Sequence, residues 1–517
     1  MKLDIEKENI CANKLMEHKI ENLVIEGDII VPDVKPDIVS SIHTNGNICV
    51  YKKEIVDGKI RIDGSIHVNV IYFADTEDGN VRSLNTNLDY SEWIPLGNSR
   101  EQMDLNLELN LKSMECTVLN GRKINIKAYV EAKIKTYFND SIEILKDVKN
   151  MEEIQRLNKK IQIDSLVGKG STKTYAKDTL MIDNADQLAE VLKSEIRIIN
   201  RDFKISYNKI LAKAELAVHI LYLTEDNRIS HIEKQIPIMG FIDIPNISEE
   251  HICDINYNLR NIIIKPNDME EHSIYVEIEI DIGSYVYETK EIDLIQDLYS
   301  PEVDLTFIQK KVNVMTGIKS TREICSIKER IEAEEMRESQ IYDTSVIPII
   351  QNITVMNGRA VCEGEVNINF LFSSNHTIRV DSRKINLPFQ YEMNIDGLQN
   401  KNDIDIHVEV KQQNFIILPD GKVDVVIDLE LEAKIERTIE INVVEDITSE
   451  ENQICKLYSM IIYFVKPGDT LWNIAKKFKS TVQDIVTLNQ LEDENNIYPG
   501  EQLLIPRYVC KNKRISA

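Results

Sequence analysis

Residues 59–73 read KIRIDGSIHVNVIYF, and two later segments repeat this pattern: KILAKAELAVHILYL at 209–223 and RAVCEGEVNINFLFS at 359–373. The three segments start 150 residues apart. In each of them apolar and polar residues alternate, which is the two-residue period of a strand with one face toward water. A small residue recurs at one position, where a bulge or a close approach of the backbone would require it: Gly64, Ala214 and Gly364.

A second set of alternating segments repeats with nearly the same spacing, at 121–138, 271–288 and 420–437. Two repeated segments with a common spacing indicate three homologous domains. The apolar residues are dominated by Ile and Val, which favour half-buried strands. The predicted fold class is therefore mainly β, with three repeated β-sandwich-like domains in an elongated array and a small βααβ module at the C-terminus.

The domain boundaries follow from these repeats. We expect an N-terminal segment at 1–21 and three β domains at 22–140, 172–298 and 330–446, separated by connectors at 141–171 and 299–329. A linker at 447–461, the small module at 462–507 and a basic tail at 508–517 follow. The connectors are charged and have a helical pattern. In 145–161, apolar residues recur every three positions, and 327–336 is rich in Glu and Arg. We expect helical, semi-rigid spacers that extend the array.

Charge and cysteine content exclude several classes of protein. The chain has 517 residues and a net charge of −25, which disfavours nucleic acid and anionic lipid as partners. From residue 462 onward there are eight basic and six acidic residues, so that part carries +2 and the remainder −27. The eight Cys are scattered singly, as in a reduced cytoplasmic protein. Neither a signal peptide nor a membrane-spanning stretch is evident.

Residues 463–506 have the pattern of a strand, two short helices and a second strand. Positions 471, 474, 475 and 478 are apolar and form one helix face, and Ser480 with Gln483 suggests a capping box for the second helix. The runs VKPGDTLWNIAKKF and IYPGEQLLIP, with an intervening Leu-Asn, closely resemble a LysM domain. That resemblance implies a groove for N-acetylglucosamine-containing glycans between two loops. The groove candidates are Gly468, Asp469, Thr470, Leu471, Asn496, Ile497, Tyr498 and Pro499.

Trp472 falls beside the buried face of the first helix and not on it, so we expect it to be partly exposed. An exposed Trp can anchor a protein partner, although it can also merely cover the core at its edge. We predict a partner-binding surface of Ile462, Lys466, Asp469, Thr470, Leu471 and Trp472, with basic residues that attract an acidic partner.

The sequence has no recognisable catalytic, phosphate-binding or metal-binding motif. There is no nucleophile elbow, no P-loop and no Cys or His pair at metal-ligand spacing. Carboxylates such as Asp405 and Glu409 alternate with apolar residues, as on a solvated strand face. We therefore predict no catalytic residues, no metal and no cofactor. An enzyme whose site lies in a β domain remains an alternative.

Three such β domains followed by a LysM domain resemble the spore-coat morphogenetic family with SPOCS domains, of the SipL type, functional counterparts of stage VI sporulation protein D. The segment VPDVKPDI at 31–38 contributes to the resemblance; copy two lacks it and has 180–192 instead. The resemblance implies a non-enzymatic scaffold in the mother-cell cytoplasm at the forespore surface. Its LysM domain would contact the coat ATPase, stage IV sporulation protein A, and the β domains are candidates for contact with other coat proteins. The alternative is a protein that binds peptidoglycan.

Overall fold

The computed structural model describes residues 4–76, 81–97, 102–149, 154–183, 186–267, 272–374, 379–450, 458–491 and 497–508. Six strands form the first domain: β1 (Asp4–Ile30), β2 (Ile38–Val56), β3 (Lys59–Ala74), β4 (Val81–Pro95), β5 (Asp104–Asn120) and β6 (Lys123–Lys149). They make two antiparallel sheets, in the orders β1-β6-β5 and β2-β3-β4.

The second and third domains repeat this topology strand for strand. The second has β7 (Gln155–Met181), β8 (Leu188–Ser206), β9 (Lys209–Thr224), β10 (Ile229–Asp243), β11 (Ile252–Pro266) and β12 (Ser273–Tyr299). The third has β13 (Asp304–Glu332), β14 (Ile341–Met356), β15 (Arg359–Ser374), β16 (Arg379–Asn394), β17 (Ile404–Ile417) and β18 (Lys422–Glu450). Short 3-10 turns lie at Glu334–Met336 and Lys401–Asp403.

Both repeated sequence patterns form the middle of a sheet. The segments that start at 59, 209 and 359 are β3, β9 and β15, each the central strand of one sheet. The other set lies in β6, β12 and β18, the central strands of the second sheet. Inward residues of the two sheets pack against each other in a separate core for each domain. The predicted triplication and the mainly β class are confirmed.

In the first and third domains, the small residue shared by the repeats lies where the backbone of the preceding strand approaches closely. A Cβ on Gly64 would lie 2.1 Å from the carbonyl oxygen of Cys49, and one on Gly364 would lie 2.3 Å from that of Ile349. Ala214 fits in the second domain because the bulge opposite it is wider: pairing jumps there from Ile199 to Asp202. The predicted close approach of the backbone is confirmed at both glycines.

The prediction of helical connectors is wrong, because the described residues of these segments lie mainly in strands. Residues 145–149 end β6, and 155–161 begin β7. The pairing of β6 with β1 has a bulge at Lys146, which leaves Leu145 and Val148 both buried. This spacing of three residues imitates one face of a helix. In the third domain, the charged residues 327–332 belong to β13, an edge strand with alternating exposure.

The long strands extend beyond the sandwiches as two-stranded ribbons, and these ribbons hold the domains together. Pairing of β5 with β6 stops at Tyr137, whereas β1 follows β6 to Lys149. Each of the three ribbons contributes four aliphatic residues to one shared core: Ile10, Ala12, Ile142, Ile144, Ile161, Ile163, Ile292, Leu294, Val312, Val314, Ile441 and Val443. The segments expected to be spacers are therefore part of the core.

The array of three domains is closed, in contrast to the expected elongated arrangement. The central strand of each domain contacts the next domain in a cycle: Asn69 with Ser194, His219 with Asp343, and Asn369 with His43. The first and third domains are also joined by an ion pair of Lys133 with Asp405 (3.1 Å). The cycle gives the body of the protein approximate threefold symmetry.

A fourth unit follows the body. It consists of β19 (Tyr458–Phe464), α1 (Leu471–Phe478), α2 (Val482–Asn489) and β20 (Gln502–Tyr508), with β19 antiparallel to β20. The predicted βααβ module is confirmed. Among the described residues, none of the helices has the length and apolar character needed to span a membrane.

Candidate partner-binding site

The first loop of the βααβ unit is shaped by Asp469. Its carboxylate accepts hydrogen bonds from the backbone N–H of Lys466 (2.8 Å) and from the hydroxyl of Tyr463 (2.7 Å). These bonds lower the pKa of Asp469, the bond from Lys466 most of all. Gly468 has φ +86°, a conformation that suits glycine. Asp469 and Gly468 therefore fix the shape of this loop.

Thr470 and Leu471 have structural roles at the start of α1. The hydroxyl of Thr470 accepts the backbone N–H of Asn473 (3.2 Å), which makes Thr470 the N-cap. Leu471 is buried in the core of the unit. Sequence reasoning placed both residues on the binding surface, but Leu471 has almost no area with which to touch a partner.

The N-cap of α2 is Thr481, whose hydroxyl accepts the N–H of Asp484 (3.0 Å). The predicted capping box at Ser480 is wrong by one residue. The reason is that Lys479 ends α1 in the left-handed conformation, and the N–H of Ser480 then bonds back to the carbonyl of Ala475 (2.9 Å). Ser480 is fully buried and belongs to the end of α1.

Trp472 lies beside the buried face of α1, as predicted, but it contacts the body of the same chain. Its indole N–H donates to Oδ2 of Asp297 (2.8 Å), and its ring meets that of Tyr299 edge-to-face at 5.0 Å between centroids. Lys476 donates to the other oxygen of Asp297 (2.5 Å), and Lys479 pairs with Asp304 (2.6 Å). The face of α1 that carries Trp472 is therefore covered.

The outward face of β19 is apolar and exposed. Met460, Ile462 and Phe464 alternate along the strand and have exposed fractions of 67%, 57% and 60%. We call these three residues the outer stripe. Of the predicted binding residues, Ile462 lies in the middle of this stripe, and Lys466 is exposed shortly after it. Sequence reasoning missed Met460 and Phe464, although their alternation with Ile461 and Tyr463 was available as a signal.

The two loops of the expected glycan groove lie side by side. Val465 donates to the carbonyl of Glu501 (2.9 Å) and accepts from the N–H of Gly500 (2.8 Å), which joins the end of the first loop to the second. Tyr498 is 64% exposed, Pro499 is exposed, and Ile497 packs against the core. Asn496 lies outside the described residues. The described loop residues are compatible with a ligand groove.

A cavity of about 680 Å³ lies between the three β domains. Charged side chains around it are paired across domains: Lys434 with Asp254 (2.6 Å), and His407 with Glu108 (2.8 Å). The carboxylates expected on a solvated face are part of this network, since Asp405 pairs with Lys133 and Glu409 contacts His407. That expectation is wrong because the face in question packs against another domain. These paired charges stabilise the closed body.

Comparison with known proteins agrees with this architecture. The SPOCS domain of the SipL family matches at residues 37–119, 187–267 and 339–418, one match in each β domain. A LysM domain matches at 463–506. The fold thus defines a protein of repeated β domains followed by a LysM module. The chain carries three SPOCS domains of the SipL family and a C-terminal LysM domain, which is the domain arrangement of a SipL-type protein.

Curated relatives match over short stretches. One is the putative sporulation-specific glycosylase YdhD of Bacillus subtilis (strain 168), 48% identical over 50 residues, 10% of this chain and 12% of the relative. Another is the secreted LysM effector ECP6 of Passalora fulva, 48% identical over 58 residues, 11% of this chain and 25% of the relative. A third is the uncharacterized protein YkzQ of Bacillus subtilis (strain 168), 48% identical over 44 residues, 8% of this chain and 57% of the relative. The chain thus spans 12% to 57% of the length of these relatives.

The domains define the broad function. SPOCS and LysM domains make this a sporulation-related protein with a module of the cell-wall-binding type. Both are non-catalytic domain families, consistent with a protein that is not an enzyme. A role in sporulation and in the spore coat is consistent with the SipL family.

Proposed function

We propose that this protein is a non-enzymatic scaffold for spore-coat assembly in the mother-cell cytoplasm at the forespore surface. Its LysM domain links the coat basement layer, through stage IV sporulation protein A, to encasement of the forespore. The observation that carries this proposal is the outer stripe of Met460, Ile462 and Phe464, on a LysM domain attached to three SPOCS domains.

The outer stripe has the character of a protein-binding surface. Three large apolar side chains on one strand face, each more than half exposed, are costly to leave in water and favour burial against a partner. One edge of β19 pairs with β20, and the side chains of the outer stripe stand on the exposed face of this two-stranded sheet. Lys466 adds a positive charge beside it, which suits an acidic partner.

The test is a binding titration of the full chain against the coat ATPase of the same organism. Ile462→Glu places a charge in the middle of the outer stripe and should weaken binding more than tenfold, since an apolar anchor is worth about 2 kcal/mol. Ile20→Glu is the matched control, because Ile20 is 53% exposed on the first domain. The affinity of this variant for the coat ATPase should equal that of the unmodified chain. Unchanged affinity in Ile462→Glu would refute the proposed surface.

A second candidate function is binding of N-acetylglucosamine-containing glycans. Two observations favour it: the adjoining loops around Gly468 and Tyr498, and the likeness to a secreted LysM effector. Tyr498→Ala should then weaken binding to chitin oligosaccharides and leave binding to the ATPase unchanged. Absence of oligosaccharide binding by the unmodified chain would remove this candidate.

A further inference from the structure

The LysM domain is seated on one corner of the β body. Tyr299, at the end of β12, is buried among the core residues of the LysM domain, and its hydroxyl donates to the carbonyl of Ser480 (2.8 Å). Asp297 binds both the Trp472 indole and the Lys476 ammonium. The same ammonium lies 5.4 Å from the ring centroid of Phe307. The contact combines an aromatic insertion, a hydrogen bond and ion pairs.

The threefold repeat of the body provides three equivalent corners, one near the end of each of the strands β6, β12 and β18. Their sequences differ in a way that favours seating of the LysM domain at the second corner. Asp147, Asp297 and Asp446 occupy matching positions, and each carboxylate accepts the N–H of the next residue (2.7, 2.9 and 2.9 Å). Two residues further along, the three copies have Lys149, Tyr299 and Thr448. An aromatic residue is present only at the second corner, where the LysM domain is seated.

Charge favours the same seating. The chain before residue 462 carries −27 and the remainder +2. Lys476 and Lys479, two of the basic residues of the LysM domain, point at Asp297 and Asp304 of the body. Both pairs are partly exposed, so each alone contributes little, but together they orient the module. The short chain between β18 and β19 keeps the two surfaces at high effective concentration.

We propose that this seating is an intramolecular clamp that covers the face of α1 carrying Trp472, so that the coat ATPase must first release the clamp to reach this face. The clamp controls access to a second face of the same LysM domain, and in that respect it rests on the proposed function. The outer stripe stays exposed in the clamped state, whereas the Trp472 face opens only after release. The apparent affinity of the chain for the partner is the affinity of the released form multiplied by the fraction of molecules that are released.

Fluorescence tests the clamp without any partner. The chain has two tryptophans, so a Trp93→Phe background leaves Trp472 as the only reporter. In that background Asp297→Lys should shift the emission of Trp472 to the red and increase its quenching by acrylamide. Asp446→Lys, the same change at the matching corner, should leave both unchanged. Identical emission and quenching in Asp297→Lys and its parent would overturn the clamp.

A variant on the LysM side guards against local damage to β12. Lys476→Glu would face Asp297 with like charge and should expose Trp472 in the same way. Lys477→Glu is its control, since Lys477 is the exposed neighbour and lies over the rings of Tyr463 and Phe478. Exposure of Trp472 in both variants to the same extent would argue against a specific clamp.

Binding to the coat ATPase then tests the regulation. Asp297→Lys should bind severalfold more tightly than the unmodified chain, and Asp446→Lys should bind equally. Unchanged affinity despite an exposed Trp472 would overturn the regulatory role. Absence of binding by all variants, with Trp472 exposed by Asp297→Lys, would refute the proposed function while the clamp itself stands.

Discussion

Lys193 provides the sharpest test of the closed body. Its side chain is fully buried between the second and third domains, with Nζ 2.5 Å from Oδ2 of Asp343 and 2.6 Å from the hydroxyl of Ser345. Glu195 lies 3.2 Å away on the other side. Burial raises the pKa of Asp343, but the charge of Lys193 outweighs this and lowers it to about 2. Both groups are therefore ionised at neutral pH.

Asp343→Leu should destabilise the protein by about 3 kcal/mol, because it leaves a buried ammonium with one remaining carboxylate. Lys193→Met combined with Asp343→Leu should cost less than Asp343→Leu alone, since two apolar side chains replace a buried ion pair nearly without loss. The control pair is Lys209 and Asp243 on the surface of the second domain, exposed by 57% and 77%. The same substitutions there should cost under about 1 kcal/mol.

Equilibrium unfolding in urea, followed by far-UV circular dichroism, measures these differences. The pH dependence of stability adds an independent check. Because the pKa of Asp343 is lower in the folded state, its contribution is present above about pH 4 and is lost as the pH falls through about 2. A cost below about 1 kcal/mol for Asp343→Leu, or a double variant less stable than the single one, would refute the reasoning.

Three further predictions concern other parts of the chain. Burial lowers the pKa of His407, but Glu108 and Glu409 outweigh this and raise it to about 9, so stability from this contact should be present below pH 6.5 and lost as the pH rises through 9. Thermal melts of His407→Gln should lack that dependence. Gly364→Ala should destabilise by about 1–3 kcal/mol through contact with the Ile349 carbonyl, whereas Gly283→Ala, with open space around its Cβ, should not. Removal of residues 460–517 should leave a cooperative melt and the strand signal, because each β domain has its own core; loss of both would contradict this.

The sequence predicts each β domain well because the fold within a domain depends on local alternation. Ile60, Ile62 and Ile66 are inward residues of β3, and the alternation in β6 is equally regular. The ribbons are harder to recognise. At Lys146 a bulge shifts the alternation by one residue, and pairing between distant segments, not local preference, determines the strand.

The arrangement of the domains could not be read from the repeat. His43, Lys193 and Asp343 occupy equivalent positions, yet they are three chemically different residues, and their complementarity is visible only once the ring is closed. Trp472 is similar: helical periodicity places it beside the core, but nothing local indicates that Asp297 and Tyr299 would meet it. Long-range contacts of this kind leave no periodic signal.

Co-purification of the coat ATPase from sporulating cells tests the central claim most directly. The full chain should retain stage IV sporulation protein A on an affinity column, and the chain lacking residues 460–517 should lose it while the three SPOCS domains remain folded. Equal recovery of the ATPase by the folded, truncated chain would contradict the proposal that the LysM domain links this scaffold to the coat basement layer.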